Sequence, residues 1–250
     1  MPQENRMNAK ALQVLITSGG TCEALDGVRS VTNTSTGATG ASIAAFFLDQ
    51  GAVVHLLHGK TSVLPKIRKT NQHRYTHEAF TDFSDLDDRM RKFLGAQKHL
   101  DAVIHLAAVS DFSPVEIIAA DGTGMKPSAE GKIASAAGFT VRFEPNRKII
   151  DSIKEYAGAA DPLVIGYKLT NVRSAAEQKA AVDELIQRGC CDIVVHNDLH
   201  MMDGTQHEAA WYHASGKLLG RSSTKTQMAE KLYELCRAYR KGDRTYETGY

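Results

Sequence analysis

Apolar positions recur along this chain in two alternating rhythms. Leu12 to Ile16, Val53 to Leu57, Ala102 to Ala107, Leu163 to Tyr167 and Ile193 to Val195 are short apolar runs rich in Val and Ile, as expected of strands buried on both faces. Between most of them the apolar residues spread to helical spacing. Ile43, Ala44, Phe47 and Leu48 share one face, as do Phe83, Leu86, Met90 and Phe93, and later Val182, Leu185 and Ile186. Such alternation implies right-handed crossovers and a mainly parallel sheet with helices on both faces, an α/β fold of Rossmann-like type. Towards the end, Ala209 to Tyr212 and Lys217 to Leu219 flank His213 to Gly216 and predict a small antiparallel hairpin. A helix with its stripe at Met228, Leu232, Leu235 and Tyr239 follows. Its start, Ser222 to Lys225, contains S-x-x-K, which reads as a helix cap rather than a nucleophile.

Two segments interrupt the rhythm. Ser18 to Gly40 is far longer than an ordinary strand-to-helix turn and ends in Asn33-Thr34-Ser35-Thr36-Gly37-Ala38-Thr39-Gly40. Small residues leading into a helix N-terminus, where backbone N–H groups lack partners and the dipole favours negative charge, predict a phosphate seat. Phe112 to Gly138 carries Pro114, Gly122, Gly124, Pro127, Gly131 and Gly138 with little periodicity, which predicts a mobile flap over 112–138. The whole reads as one domain over 11–240, with a polar tail at 1–10 and a disordered one at 241–250.

Charge narrows the partners. Thirty basic and 29 acidic residues among 250 leave a formal +1, too little for a field that gathers nucleic acid or an anionic membrane, so any anion site is local. Four cysteines, Cys22, Cys190, Cys191 and Cys236, show no C-x-x-C spacing; neither a metal site nor a disulfide framework is expected, and free thiols suit a cytoplasmic protein. The N-terminus is not signal-like, and no stretch reaches the roughly 18 apolar residues a membrane span needs.

In parallel sheets, ligands collect beyond the carboxyl ends of the strands where the order of connections reverses. Ser18-Gly19-Gly20, Asp111, Lys168 and Asn197-Asp198 follow predicted strand ends, and are expected to face one crevice. The first loop lacks G-x-G-x-x-G, and Gly122-Thr123-Gly124 has neither strand before it nor helix after it. A Tyr-x-x-x-Lys pair and a Walker A lysine are also missing. What remains is a nucleotide fold whose phosphate donors are hydroxyls, amides and glycine N–H groups.

Seven ordered blocks then make a specific likeness: Thr17-Ser18-Gly19-Gly20-Thr21, Val28-Arg29, Asn33 to Gly37 with Gly40, Ala107 to Phe112, Gly131-Lys132-Ile133, Gly166-Tyr167-Lys168-Leu169 and Asn197-Asp198. Over residues 11 to 238 the chain resembles phosphopantothenate-cysteine ligases, in a stand-alone form without the flavin-dependent decarboxylase domain, so no flavin is expected. The resemblance implies that a nucleoside triphosphate activates the carboxylate of 4′-phosphopantothenate and that the amine of cysteine displaces the nucleotide, in a homodimer with shared active sites. It implies that Asn33 holds the acyl-nucleotidyl intermediate and Lys132 neutralises the reacting phosphate. Ala107, Ala108 and Asp111 are expected to line the floor between nucleotide and substrate, and Arg29 to reach into the neighbouring subunit and grip the substrate phosphate. Gly19, Ser35, Gly37, Gly40, Asn146, Tyr167, Lys168 and Asn197 complete the nucleotide set, although Lys168 reads equally well as a strand-end surface lysine.

Joining a carboxylate to a phosphate brings two anions together, so cations and fixed donors matter more than a general base. Mg²⁺ is expected on the triphosphate, held by phosphate oxygens and water. The chain departs from the likeness in three places. Lys132 is followed by Ile133, Ala134 and Ser135 instead of a lysine cluster, Gly37-Ala38-Thr39-Gly40 lacks a basic residue between its glycines, and the basic residues after Lys168 are spaced differently. CTP is favoured over ATP, and the choice between Lys179 and Arg188 as a nucleotide contact stays open. Two rivals remain, an NAD(P)-dependent reductase on the same fold and a nucleotide-sensing module without chemistry.

Overall fold

The first apolar run becomes β1 (Gln13–Ser18), and the sheet grows outward from it on both sides. The coordinates are a computed structural model that describes residues 11–133, 138–202 and 207–243; the expected tails at 1–10 and from 244 on lie outside the described residues, as do 134–137 of the flap. After β1 a short antiparallel hairpin, β2 (Cys22–Ala24) and β3 (Ser30–Thr32), occupies the long first loop. Helix α1 (Ala38–Asp49) then leads to β4 (Val53–Gly59), and β5 (Tyr75–Phe80), α2 (Phe83–Gly95) and β6 (Ala102–His105) follow.

Next comes an arm of three antiparallel strands, β7 (Phe112–Ala119), β8 (Gly124–Met125) and β9 (Phe139–Pro145). The chain returns through α3 (Ile153–Ala157), β10 (Leu163–Thr170), α4 (Ala175–Gln187) and β11 (Ile193–Asp198), and ends with β12 (Ala209–His213), β13 (Leu218–Ser222) and α5 (Lys225–Arg240).

The main sheet runs β13-β12-β11-β10-β6-β1-β4-β5, antiparallel only where β12 and β13 are added. Alternation along each strand sorts side chains to two cores. Val14, Ile16 and Ile104 pack with α1 and α5, whereas Leu15, Val103 and Val164 pack with α2, α3 and α4. Helix ends follow their sequence signals: Asp82, Ser174 and Thr224 accept the N–H of Asp85, Glu177 and Gln227. Thr224 is thus the cap that the S-x-x-K segment suggested. Helix α1 has no side-chain cap; Gly37 precedes it in a left-handed conformation, φ 73°. No described helix is long and apolar enough to cross a membrane.

Three expectations need correction. The flap is not without regular structure, because Phe112 to Ala119 pairs with Phe139 to Pro145, and the pairing extends to 145; Pro114 and the register shift beside it had hidden the alternation. The apolar run Ala102 to Ala107 forms a strand only as far as His105, the end of β6, freeing Leu106 and Ala107 for the loop. Lys168, Asn197 and Asp198 do not follow their strands but lie within them, Lys168 two residues before the end of β10 and Asn197 and Asp198 at the end of β11, since pairing of β10 with β11 runs on to Thr170 and Asp198.

Arm and hairpin are tied together by one carboxylate. Asp26 accepts from the N–H of Val28, Arg29 and Ile133 at 2.7–2.9 Å and pairs with the Arg29 guanidinium at 2.6 Å, while Gly27 N–H donates to Gly131 O. These donors, the Ile133 N–H first, hold the Asp26 carboxyl down at about 2. Its folded value lies below the unfolded one, so its contribution is complete above about pH 4 and is lost as pH falls towards 2. Asp26→Asn is expected to speed amide hydrogen exchange at Gly27 and Ile133 roughly tenfold while the sheet strands exchange as before. Wild-type protection at these amides is expected to be flat from pH 8 to 4 and to fall below; equal exchange in the two proteins would show that Asp26 does not hold the arm.

Candidate active site

The order of connections reverses between β1 and β6: after β1 the chain adds β4 and β5 on one side, then returns to place β6, β10 and β11 on the other. A crevice of about 770 Å³ opens there, beyond the carboxyl ends of the strands. Its floor lies where the loops after β1 and β6 are hydrogen-bonded to each other. Ala108 N–H donates to Gly19 O at 2.8 Å, Thr21 N–H to Ala108 O at 3.2 Å, and Ser110 N–H to the Thr21 hydroxyl at 2.9 Å.

The first wall is the small-residue segment. Ser18 Oγ donates to Gly37 O at 3.0 Å; in the first turn of α1, which has no acidic residue, Ala38 N–H donates to Thr36 Oγ1 at 3.4 Å, and Thr39 and Gly40, whose N–H groups have no partner within the helix, line the crevice. Gly40 is required here, because a Cβ would overlap the Ser18 side chain. Asn33 stands across from the seat, its Nδ2 donating to Ala108 O at 3.0 Å. Asn197 is buried and donates to Glu208 O, and the Tyr167 hydroxyl donates to Met228 Sδ at 3.3 Å; burial pushes that phenol upward, so it stays protonated.

The second wall is charged at its rim and apolar at its base. Arg147, Lys148, Lys168 and Arg188 line it, with Lys225 at the opposite end, against Asp111 and Glu184. Lys148 pairs with Asp111, Lys168 lies 3.5 Å from Glu184, and Arg188 Nε donates to Asp151 at 3.0 Å. Ile149, Ile150 and Leu185 form the base, together with His105. Desolvation lowers the His105 imidazole to about 4, and also lowers His207, where the nearby Lys225 adds to the effect. The net +1 of the chain therefore conceals a cationic crevice.

Gly19, Asn33, Ser35, Gly37, Gly40, Ala107, Ala108, Asp111, Tyr167, Lys168 and Asn197 all line it, as expected for one site. Three candidates do not. Asn146 sits behind the wall, where its Nδ2 donates to Ser110 O and its Oδ1 accepts from Ser113, so it braces the Ala107–Asp111 loop. Arg29 and Lys132 belong to the hairpin–arm junction; Arg29 donates to Ile133 O at 3.1 Å as well as to Asp26. Of the pair left open, Arg188 lines the crevice, whereas Lys179 pairs with Asp183 on α4. Sequence reasoning missed Arg147 and Lys148, which sit in an aperiodic stretch with no strand to place them. It also passed over His105, although a polar residue inside the Ala102–Ala107 run was a visible signal. No three His, Cys, Asp or Glu side chains gather as a metal cage among the described residues.

The sequence profile of the DNA/pantothenate metabolism flavoprotein C-terminal domain matches residues 9–239. Among curated proteins, the coenzyme A biosynthesis bifunctional protein CoaBC of Thermococcus kodakarensis is 30% identical over 239 residues, which cover 92% of this chain and 52% of that protein. The CoaBC of Bacillus subtilis is 27% identical over 79% of this chain and 43% of its own. The chain thus spans about half the length of the curated relatives it matches. The solved DNA/pantothenate metabolism flavoprotein of Streptococcus pneumoniae superposes with a TM-score of 0.79 at 28% identity, covering 92% of this chain and all of that one. A Cab2 H337A mutant, solved in complex with phosphopantothenate-cysteine, shares the fold with a TM-score of 0.69 at 19% identity, over 92% of this chain and 89% of its own.

The seat is testable without knowing the substrate. Gly40→Ala raises helix propensity but crowds Ser18, so the fold is expected to survive while affinity for inorganic triphosphate drops at least tenfold, about 1.4 kcal/mol. Unchanged titration curves would place the anion elsewhere.

Proposed function

This chain belongs to the family of the DNA/pantothenate metabolism flavoprotein C-terminal domain, and we propose that its crevice joins cysteine to 4′-phosphopantothenate through an acyl-nucleotidyl intermediate, as a phosphopantothenate-cysteine ligase. The observation that carries this reading is the uncapped N-terminus of α1 facing Asn33 across a crevice rimmed by cations. The relatives named for coenzyme A biosynthesis support it. The triphosphate lies on the α1 seat, with CTP the favoured nucleotide and ATP its competitor. Mg²⁺ would be held by phosphate oxygens and water rather than by a cage of side chains, and would supply charge neutralisation there.

In the first step the substrate carboxylate attacks the α-phosphorus and pyrophosphate leaves. The N–H groups of α1 and the rim cations offset the repulsion between the two anions. The Asn33 carboxamide, steadied through Ala108 O, orients the acyl group of the mixed anhydride. In the second step the cysteine amine attacks that carbonyl and the nucleoside monophosphate departs. A fixed donor of this kind is worth about 10²- to 10³-fold in rate.

A homodimer completes the site. The hairpin and arm expose Val28, Val31, Phe112, Met125 and Phe143, an apolar surface of the kind that pairs subunits. They also carry Arg29 and Lys132 away from the crevice of their own chain, towards that of a neighbour.

Pyrophosphate release is expected with CTP or ATP only when 4′-phosphopantothenate is present, and amide product only when cysteine is added; NADPH binding without triphosphate binding would favour a reductase instead. Asn33→Asp is expected to fold normally and form little intermediate, because its new charge faces the substrate carboxylate; wild-type rates would remove Asn33 from the site. Mixing Arg29→Ala with Asn33→Ala protein is expected to restore part of the activity lost in each. No recovery after verified subunit exchange would refute sharing.

A further inference from the structure

His105 is the one imidazole in the base of the second wall, and the mechanism above gives it nothing to do. It is the last residue of β6, paired with Thr17 of β1 on one side and Gly166 of β10 on the other. Only 7% of its surface is exposed, and that part lines the crevice between Ala107 and the side chains of Ile150 and Leu185. Nδ1 lies 2.8 Å from Thr17 Oγ1. Nε2 takes no partner among the described residues, yet it is not among the buried polar atoms sealed from space. A ring nitrogen held in a nearly buried side chain and opening only onto a cavity is suited to a ligand.

The neighbouring bonds fix which nitrogen bears the proton. Thr17 Oγ1 accepts the Ala107 N–H at 3.1 Å, and Thr17 is fully buried. Its hydroxyl proton needs an acceptor, and His105 Nδ1 is the one its recorded hydrogen bonds supply. If Nδ1 carried a proton instead, Oγ1 would accept from both Nδ1 and Ala107 and the hydroxyl proton would be left without an acceptor, an arrangement that buried groups avoid. Nδ1 is therefore the acceptor, and Nε2–H the donor. With the imidazole neutral down to about pH 4, that donor is fixed throughout the working range.

We propose that His105 is a substrate-binding residue: its Nε2–H, locked by Thr17, donates a hydrogen bond to an uncharged acceptor of the bound substrate, a carbonyl oxygen or ring nitrogen. The apolar surroundings explain the choice of acceptor. A phosphate would be met by the rim cations, whereas a neutral donor between Ile150 and Leu185 discriminates for a polar atom set in an otherwise apolar group. Two parts of the substrates named under the proposed function offer such an atom, the nucleobase and the amide of 4′-phosphopantothenate, and this inference rests on that reading.

The test measures binding by titration of CTP, ATP and 4′-phosphopantothenate, each alone, to wild type, His105→Gln and His105→Leu. Gln keeps an N–H at the position of Nε2, so its dissociation constants are expected to stay within about threefold of wild type. Leu is expected to weaken the ligand that supplies the acceptor at least tenfold and to leave the other unaltered, which tells base from amide. In wild type, long-range ¹⁵N imidazole spectra are expected to show one ring with a pyridine-like Nδ1 from pH 5.5 to 9, absent from the Gln variant, whose Nε2–H resonance moves when that ligand binds. Should Leu destabilise the fold, the Gln variant and these spectra still decide. Equal affinities in wild type and Leu, or a pyridine-like Nε2, would overturn the inference and leave the ligase reading standing. A wild type that binds none of the three overturns both.

Discussion

The site exists because two loops that are remote in sequence are hydrogen-bonded to each other. The loop after β1 and the loop after β6 meet at the reversal point of the sheet, and Ala108 both donates to Gly19 and accepts from Thr21 and Asn33. This contact ties the two loops that carry the seat and the floor. It sets the distance from the α1 N-terminus to Asn33, holds Ala107 N–H on Thr17, and gives Asn146 a loop to brace. The β-sheet alone would supply only a gap between strand ends. The cross-bonded loops turn that gap into a cavity with a fixed floor, which catalysis by positioning requires.

Electrostatics then divides the labour. The seat on the first wall offers backbone dipoles and hydroxyls, which bind an anion without carrying charges that must be desolvated. Lys225 lies near His207 beside the seat; the other four lining cations stand on the opposite wall, each with a carboxylate partner: Arg147 with Asp87, Lys148 with Asp111, Lys168 with Glu184, Arg188 with Asp151. Half-exposed pairs such as the last three are worth little to stability. They can exchange a carboxylate partner for a phosphate at small cost, and at rest they keep the crevice from being strongly cationic. The neutral His105 lies below them, where a charge would be expensive.

Legibility in the sequence followed the range of the interaction involved. The core strands and helical stripes could be read because burial imposes a local period, and Leu86, Met90, Met228, Leu232 and Leu235 are all buried as their spacing indicated. The small-residue turn into α1 could be read from Gly37 and Gly40, whose lack of a side chain is a local signal. The arm could not, since Phe112–Ala119 finds its partner only after a gap of about twenty residues and Pro114 interrupts the alternation. Arg147 and Lys148 could not either, because what brings them to the crevice is the return of the arm rather than any pattern of their own. His105 was readable as an anomaly, a polar residue in an apolar strand, but its role depends on the Thr17 hydroxyl, 88 residues away in sequence.

The hairpin–arm junction carries the same logic beyond one subunit. Asp26 fixes Arg29 through its guanidinium and Lys132 through the N–H of the next residue, Ile133, so the Arg29 guanidinium and the backbone that carries Lys132 are placed by a single carboxylate. Neither lines the crevice of its own chain. Two cations built on one hydrogen-bonded unit move together, and a unit with exposed Val28 and Phe143 on it has reason to be covered. In the proposed dimer, covering that apolar surface and delivering the two charges to a neighbouring crevice are one event. The same contact that stabilises the pair then completes the site, and a lone subunit would hold a triphosphate seat without the charges that meet its second substrate.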